Sequence, residues 1–167
     1  IVKQSNGSVW LASEPGRGAT FTIYLPQVDA VAPPLVETDA ADSATGSETI
    51  LLVEDEDAVR NVAKRVLAFA GYTVLTASRG AEALELLEKH DGKLHLLLTD
   101  VIMPGMGGRD LANRVLEIRP DIRVLFISGY ADDALSRSGV LDAGTNFIGK
   151  PYAAGDLKRK VREVLDA

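Results

Sequence analysis

The chain has 167 residues, 46% hydrophobic and 25% charged, a composition that fits one ordinary globular domain with something smaller beside it. Its formal net charge of −6 argues against a nucleic-acid surface. It has no cysteine, which excludes disulfides and thiolate metal sites and fits the cytoplasm, and no apolar run approaches the roughly 20 residues of a membrane helix.

Three zones follow one another. In residues 1 to 26, "SVWLAS" and "FTIYLP" read as strands, because Phe21, Ile23 and Leu25 alternate with Thr22 and Tyr24. "EPGRG" between them is turn chemistry, so this zone is a β-hairpin with a short lead-in. A lone hairpin is marginal in water, and this one is expected to belong to a larger sheet. Residues 27 to 48 contain no aromatic residue, no Lys or Arg, several acids and a Pro-Pro pair, the composition of a flexible acidic linker.

Residues 49 to 167 alternate apolar strand-like runs with helical patterns. "TILLVE" precedes a helix with Val59, Val62, Ala63, Val66, Leu67 and Ala70 on one stripe. "YTVLTA" precedes a helix around Ala83, Leu84 and Leu87, and "HLLLTD" precedes one around Leu111, Val115 and Leu116. "RVLFIS" leads to a weaker helix from Ala131 to about Asp142, interrupted by "SRSG". "NFIG" precedes a last helix carrying Leu157, Val161, Val164 and Leu165. Strands without polar alternation are buried on both faces, so five such units predict an open, doubly wound α/β fold around a parallel sheet.

Ligands of such sheets sit at the carboxyl ends of the strands. The first strand of this zone ends in Glu54 and Asp55, the third in Asp100, and the fourth in Ser128 and Gly129. The fifth is followed by Lys150 and Pro151. If the first and third strands are neighbours, two carboxylates converge and repel by about 3–4 kcal/mol at an effective dielectric near 20. A proton or a cation must relieve that repulsion. Mg²⁺ suits hard oxygen ligands and needs one or two carboxylates besides water and phosphate. With an ammonium and a hydroxyl nearby, the set makes a cradle for a phosphoryl group and offers a carboxylate nucleophile.

In this zone the sequence resembles the receiver domain of two-component response regulators. The matching residues are Glu54-Asp55, Asp100, Met103-Pro104, Gly108, Ser128-Gly129 and Lys150-Pro151. The resemblance implies a five-stranded flavodoxin-like (βα)5 fold with strand order 2-1-3-4-5. It implies that Asp100 accepts a phosphoryl group from a phosphohistidine, with Lys150 and Ser128 bonding the phosphoryl oxygens. Mg²⁺ (or Mn²⁺) would be held by Asp55, Asp100, the backbone carbonyl of Ile102 and, through water, Glu54. The Lys150-Pro151 bond is expected to be cis, and Phe147 matches the aromatic switch position, where it would turn inward as Ser128 moves to the phosphate. The face formed by the last two helices and the last strand would then change its affinity for a partner. Ile102 and Tyr130, each two residues beyond a site residue, would border the path of hydrolytic water, and their bulk predicts slow self-dephosphorylation. Gly107 stands where the family often has Asp, at the start of the third helix. A glycine N-cap costs only a few tenths of a kcal/mol more than Asp. Neither His90 nor His95 has a phosphoacceptor context, and both are expected at the surface.

"GSVWLASEPGRGATFTIYLP" resembles the last hairpin of the histidine kinase ATPase domain, through Gly7, Ser13, Gly16, Gly18, Thr20, Phe21, Leu25 and Pro26. Together the zones predict the C-terminal end of a hybrid sensor histidine kinase, without ATP site or phosphoacceptor histidine of its own. Such a piece is expected to support only phosphorylation and dephosphorylation of its own aspartate. Its expected partners are a kinase core or a histidine phosphotransfer protein, with no nucleic acid and no membrane contact. It would be a cytoplasmic monomer or weak dimer whose parent is free to be membrane-anchored. Two rival readings are a haloacid-dehalogenase-like phosphatase using Asp55 in "DEDAV" as nucleophile, and a pseudo-receiver that interacts without phosphorylation.

Overall fold

The computed structural model describes residues 2–3, 5–27, 45–129 and 145–167. Most of the expected linker, the expected fourth helix and Tyr130 lie outside these residues. The chain divides into two compact units, Ile1–Glu37 and Thr38–Ala167.

The first unit is a hairpin of β1 (Ser8–Glu14) and β2 (Gly18–Tyr24), antiparallel with Leu11 opposite Phe21 and Val9 opposite Ile23. Residues paired across an antiparallel ladder share a face, so Val9, Leu11, Phe21 and Ile23 form one apolar side. Every residue of both strands is exposed, Phe21 at 65% and Leu11 at 62%. Two strands have too little area to bury their own side chains.

The second unit contains β3 (Thr49–Val53), α1 (Asp57–Phe69), β4 (Thr73–Ala77), α2 (Gly80–Lys89), β5 (Leu96–Asp100), α3 (Gly108–Ile118), β6 (Arg123–Ser128), β7 (Phe147–Gly149) and α4 (Ala154–Asp166). The sheet is parallel and five-stranded, in the order β4-β3-β5-β6-β7, which is the expected 2-1-3-4-5. β3 and β5 supply side chains to both faces, since successive residues of a strand point to opposite sides. Leu51, Val53 and Leu97 pack with Ala83, Leu87, Leu111 and Val115 of α2 and α3 on one side. Ile50, Leu52, Leu96 and Leu98 pack with Ala63 and Leu67 of α1 and with Leu157 and Val161 of α4 on the other.

α1 ends at a glycine. Gly71 has φ +96°, its N–H donates to the Ala68 carbonyl at 3.0 Å, and the Tyr72 N–H reaches the Leu67 carbonyl at 3.2 Å. This is the Schellman arrangement, which requires a left-handed residue after the helix. Two stripe assignments need correction. Val62 is 60% exposed and Leu116 38% exposed, although both were expected inward. Each lies at the edge of its apolar stripe, beyond what the neighbouring elements cover.

The strand order reverses direction between β3 and β5: the chain leaves β3 to one side for β4 and then crosses to β5 on the other. The crevice at their carboxyl ends is therefore the topological switch point.

Candidate functional site

β3 and β5 pair from Ile50–Leu96 to Val53–Thr99, so Glu54, Asp55 and Asp100 leave the sheet side by side. Each of the three offers an oxygen, and these oxygens lie within 4.8 Å of one another. Glu54 is 1% and Asp100 9% exposed, while Asp55 faces solvent. Lys150, just after β7, reaches into this cluster. Its Nζ donates to Glu54 Oε2 at 2.7 Å and to Asp100 Oδ2 at 2.7 Å. The other Asp100 oxygen, Oδ1, accepts the backbone N–H of Ile102 at 3.0 Å. Both oxygens of the carboxylate are thus oriented, one by a cation and one by the loop that follows.

Burial pushes the Glu54 carboxyl above the usual carboxylate range, against the opposing pull of Lys150. Burial alone would lower the Lys150 ammonium, but its bonds to Asp100 and Glu54 outweigh that and raise it. The sequence did not anticipate Lys150 bridging two acids. Glu54 lies 96 residues from Lys150, and only the parallel sheet, which brings the ends of β3 and β7 to one edge, lets the Lys150 side chain reach it.

Ser128 is 3% exposed at the end of β6, and its carbonyl accepts the Lys150 N–H at 2.7 Å. The Lys150-Pro151 peptide is cis, as expected. Phe147 is half-buried at the start of β7, packs against the core on the α2–α3 side and lines a cavity of about 300 Å³ with Tyr152 and Lys160. Ile102 is 70% exposed on the loop. A second cavity of about 500 Å³ opens beside Asp55, between Asp57, Ser78, Arg79 and Pro104.

Two local features shape the loop after Asp100. Gly107 is the N-cap of α3, as its position implied, and makes no side-chain cap bond. Gly108 is held against the backbone carbonyl of Asp100 so closely that a Cβ there would overlap it. A side chain at 108 must displace the strand end that carries the carboxylate. Gly108→Ala is expected to cost about 1–3 kcal/mol of stability, the usual range for overpacking. Denaturant titration checks this, and an unchanged midpoint would contradict it.

The histidines depart from their expected surface placement. His95 is half-buried, and its Nδ1 accepts the Thr49 N–H at 3.0 Å while its own N–H donates to the Thr49 carbonyl at 2.9 Å. It joins the start of β3 to the start of β5. His90 is half-buried at the end of α2, and its carbonyl accepts Arg119 Nη2 at 3.0 Å. Arg60, unremarked in the sequence, donates to the Glu54 carbonyl at 2.6 Å. Its signal was an i,i+3 pair with Asp57 on the acidic turn, a common surface pattern with little specificity.

Among the described residues, no helix is long and apolar enough to cross a membrane.

Comparison with known proteins extends these observations. Residues 50–162 match the response regulator receiver domain family. The sensor kinase CckA of Brucella abortus (strain 2308) is 41% identical over 174 residues, which cover 99% of this chain and 18% of that protein. The crystal structure of the receiver domain from the hybrid histidine kinase CckA is 41% identical, with a TM-score of 0.59, over 70% of this chain and 98% of its own. The response regulator TrrA of Thermotoga maritima, solved in complex with Mg²⁺-BeF, is 28% identical with a TM-score of 0.59, over 70% of this chain and 98% of its own. The parallel order β4-β3-β5-β6-β7 and the acids at its switch point are what that family builds on, and the chain belongs to the response regulator receiver domains of two-component systems.

Proposed function

We propose that Asp100 is the phosphoacceptor of this receiver domain. An Asp100 oxygen attacks the phosphorus of a phosphohistidine, the P–N bond breaks, and the imidazole leaves with the electron pair as an aspartyl phosphate forms. The observation that carries this reading is the carboxylate's double restraint: Ile102 N–H on Oδ1 and Lys150 on Oδ2. It supports a nucleophile held in one orientation, which is most of what phosphoryl transfer asks of a protein. Lys150 would follow the developing charge, moving from the carboxylate pair to a phosphoryl oxygen. Ser128 would donate to another.

The donor set fits a divalent cation. Three hard oxygens converge from Glu54, Asp55 and Asp100, and Lys150 neutralises only part of their charge. Asp55 and Asp100 would hold Mg²⁺ (or Mn²⁺) directly, with the Ile102 carbonyl, and Glu54 through water. The ion, when bound, supplies charge neutralisation for the phosphoryl oxygens. Phosphorylation would draw Ser128 in and turn Phe147, changing the face around β7 and α4.

The domain division belongs to the same proposal: residues 1–26 as the end of a histidine kinase ATPase domain, 27–48 as a linker and 49–167 as the receiver. The similarity to CckA across 99% of the chain supports it. Its partners would be a kinase core or a histidine phosphotransfer protein, in the cytoplasm. Incubation with acetyl phosphate and Mg²⁺, followed by a phosphate-dependent gel shift, tests the phosphoacceptor. No shift would end the reading.

Lifetime gives a second test. Ile102 is exposed beside the carboxylate, and its apolar side chain has no atom with which to orient a water. Ile102→Asn is expected to speed hydrolysis of the aspartyl phosphate about 10-fold by positioning the attacking water. Decay of phosphorylated protein after donor removal measures this, and an unchanged rate would refute the role of Ile102.

A further inference from the structure

The acidic turn after β3 has few restraints of its own. Glu56, the N-cap of α1, makes no side-chain cap bond, and its N–H reaches Glu54 Oε1 only at 3.4 Å. Asp55 is exposed on this turn, with a carboxylate oxygen within 4.8 Å of those of Glu54 and Asp100. What spans the turn is Arg60. Nη1 donates to the Glu54 carbonyl at 2.6 Å and, at 3.5 Å, to that of Asp55, while Nη2 pairs with the Asp57 carboxylate. The Arg60 side chain is 16% exposed against 83% for Asp57, so the cation faces the turn and the carboxylate faces water. A planar guanidinium offers these donors in a fixed fork spread over two nitrogens, which a single lysine nitrogen does not reproduce.

We propose that Arg60 is a positioning residue for the divalent cation, fixing the Glu54–Asp55 backbone so that the Asp55 carboxylate meets the ion without reorganising. This rests on the phosphoacceptor reading. The bland alternative is that Arg60 merely stabilises the first turn of α1 through an i,i+3 ion pair, worth a few tenths of a kcal/mol.

The sign of the effect on Mg²⁺ separates the two. Removing a positive charge beside an acidic cluster should, by Coulomb's law alone, tighten cation binding. Losing a positioning contact should weaken it, as loss of partners behind metal ligands commonly does by about 10-fold or more. Calorimetric titration of Mg²⁺ into the full chain therefore decides. Arg60→Gln is expected to raise the Mg²⁺ Kd about 10-fold, and Arg60→Lys to rescue less than half of that loss. Phosphorylation by acetyl phosphate should then show a shifted half-saturating Mg²⁺ concentration, with the rate at saturating Mg²⁺ within about two-fold of wild type.

Unchanged or tighter Mg²⁺ binding in Arg60→Gln, or full rescue by Arg60→Lys, overturns the proposal. If Arg60 variants fail to fold, Asp57→Asn releases the fork's exposed anchor instead. It is expected to weaken Mg²⁺ about three-fold, and to do so still at about 0.5 M KCl, where long-range charge effects are screened. Wild-type affinity there overturns the proposal. If wild type itself is phosphorylated and binds Mg²⁺ while the variants match it, only the role of Arg60 falls. If wild type does neither, the phosphoacceptor reading falls, and the role of Arg60 with it.

Discussion

Asp100→Asn is expected to abolish the gel shift produced by acetyl phosphate and Mg²⁺, a loss of at least about 100-fold in phosphorylation rate. An amide oxygen is no nucleophile toward phosphorus under these conditions. The amide also carries no charge for Lys150, which would keep Glu54 as its one acidic partner of the present two. Asp55→Asn should behave differently, weakening the response to Mg²⁺ while leaving the nucleophile in place. A shift that survives Asp100→Asn would move the acceptor elsewhere. Turnover of a phosphate ester that depends on Asp55 and ignores Asp100 would instead favour the phosphatase chemistry suggested by "DEDAV".

Lys150→Met should cost about 3–5 kcal/mol at pH 7, the cost of leaving a buried charge without its partner. The pH dependence identifies the cause. Glu54 is raised by burial above its ordinary 4.5 even with Lys150 present, so its protonated form is favoured in the fold. A carboxyl raised in this way contributes stability below 4.5 and loses it as the pH climbs through the folded value. Without the ammonium the folded value rises further, and the deficit at neutral pH grows. The difference between wild type and Lys150→Met should therefore shrink as the pH falls through the raised Glu54 value toward its ordinary 4.5. Lys150, itself raised above 10.5, lends wild type a stability that fades only above that pH. Urea titrations at several pH values measure both trends. A deficit independent of pH would mean that lost packing, and not the stranded Glu54 charge, sets the cost.

Much of this molecule is legible along the chain because burial leaves a local periodic trace. "TILLV" and "LLLTD" name the central strands since no polar alternation breaks their apolar runs, and β3 and β5 are buried almost throughout. The chemistry is legible because strand ends in a parallel sheet point to one edge, so the chain order of the strands is enough to gather Asp55, Asp100, Ser128 and Lys150. Stripe edges were less legible. Val62 satisfies the helical period but lies outside the core, since periodicity describes a helix about its own axis and not the reach of its neighbours.

What the sequence determined by itself is the set of elements and the order in which their ends present acids, hydroxyl and ammonium. Tertiary structure alone decided the pairings. Lys150 holds Glu54 as firmly as Asp100, His95 bridges β3 to β5, and Arg60 folds back over the acidic turn. The two Lys150 contacts and the His95 contact join residues 96, 50 and 46 positions apart, where no local pattern reaches. Arg60 sits six residues from Glu54, close enough to notice, but only the folded turn after β3 presents the Glu54 carbonyl to its fork. Register and side-chain direction, both set by packing, choose which groups of a converging set touch.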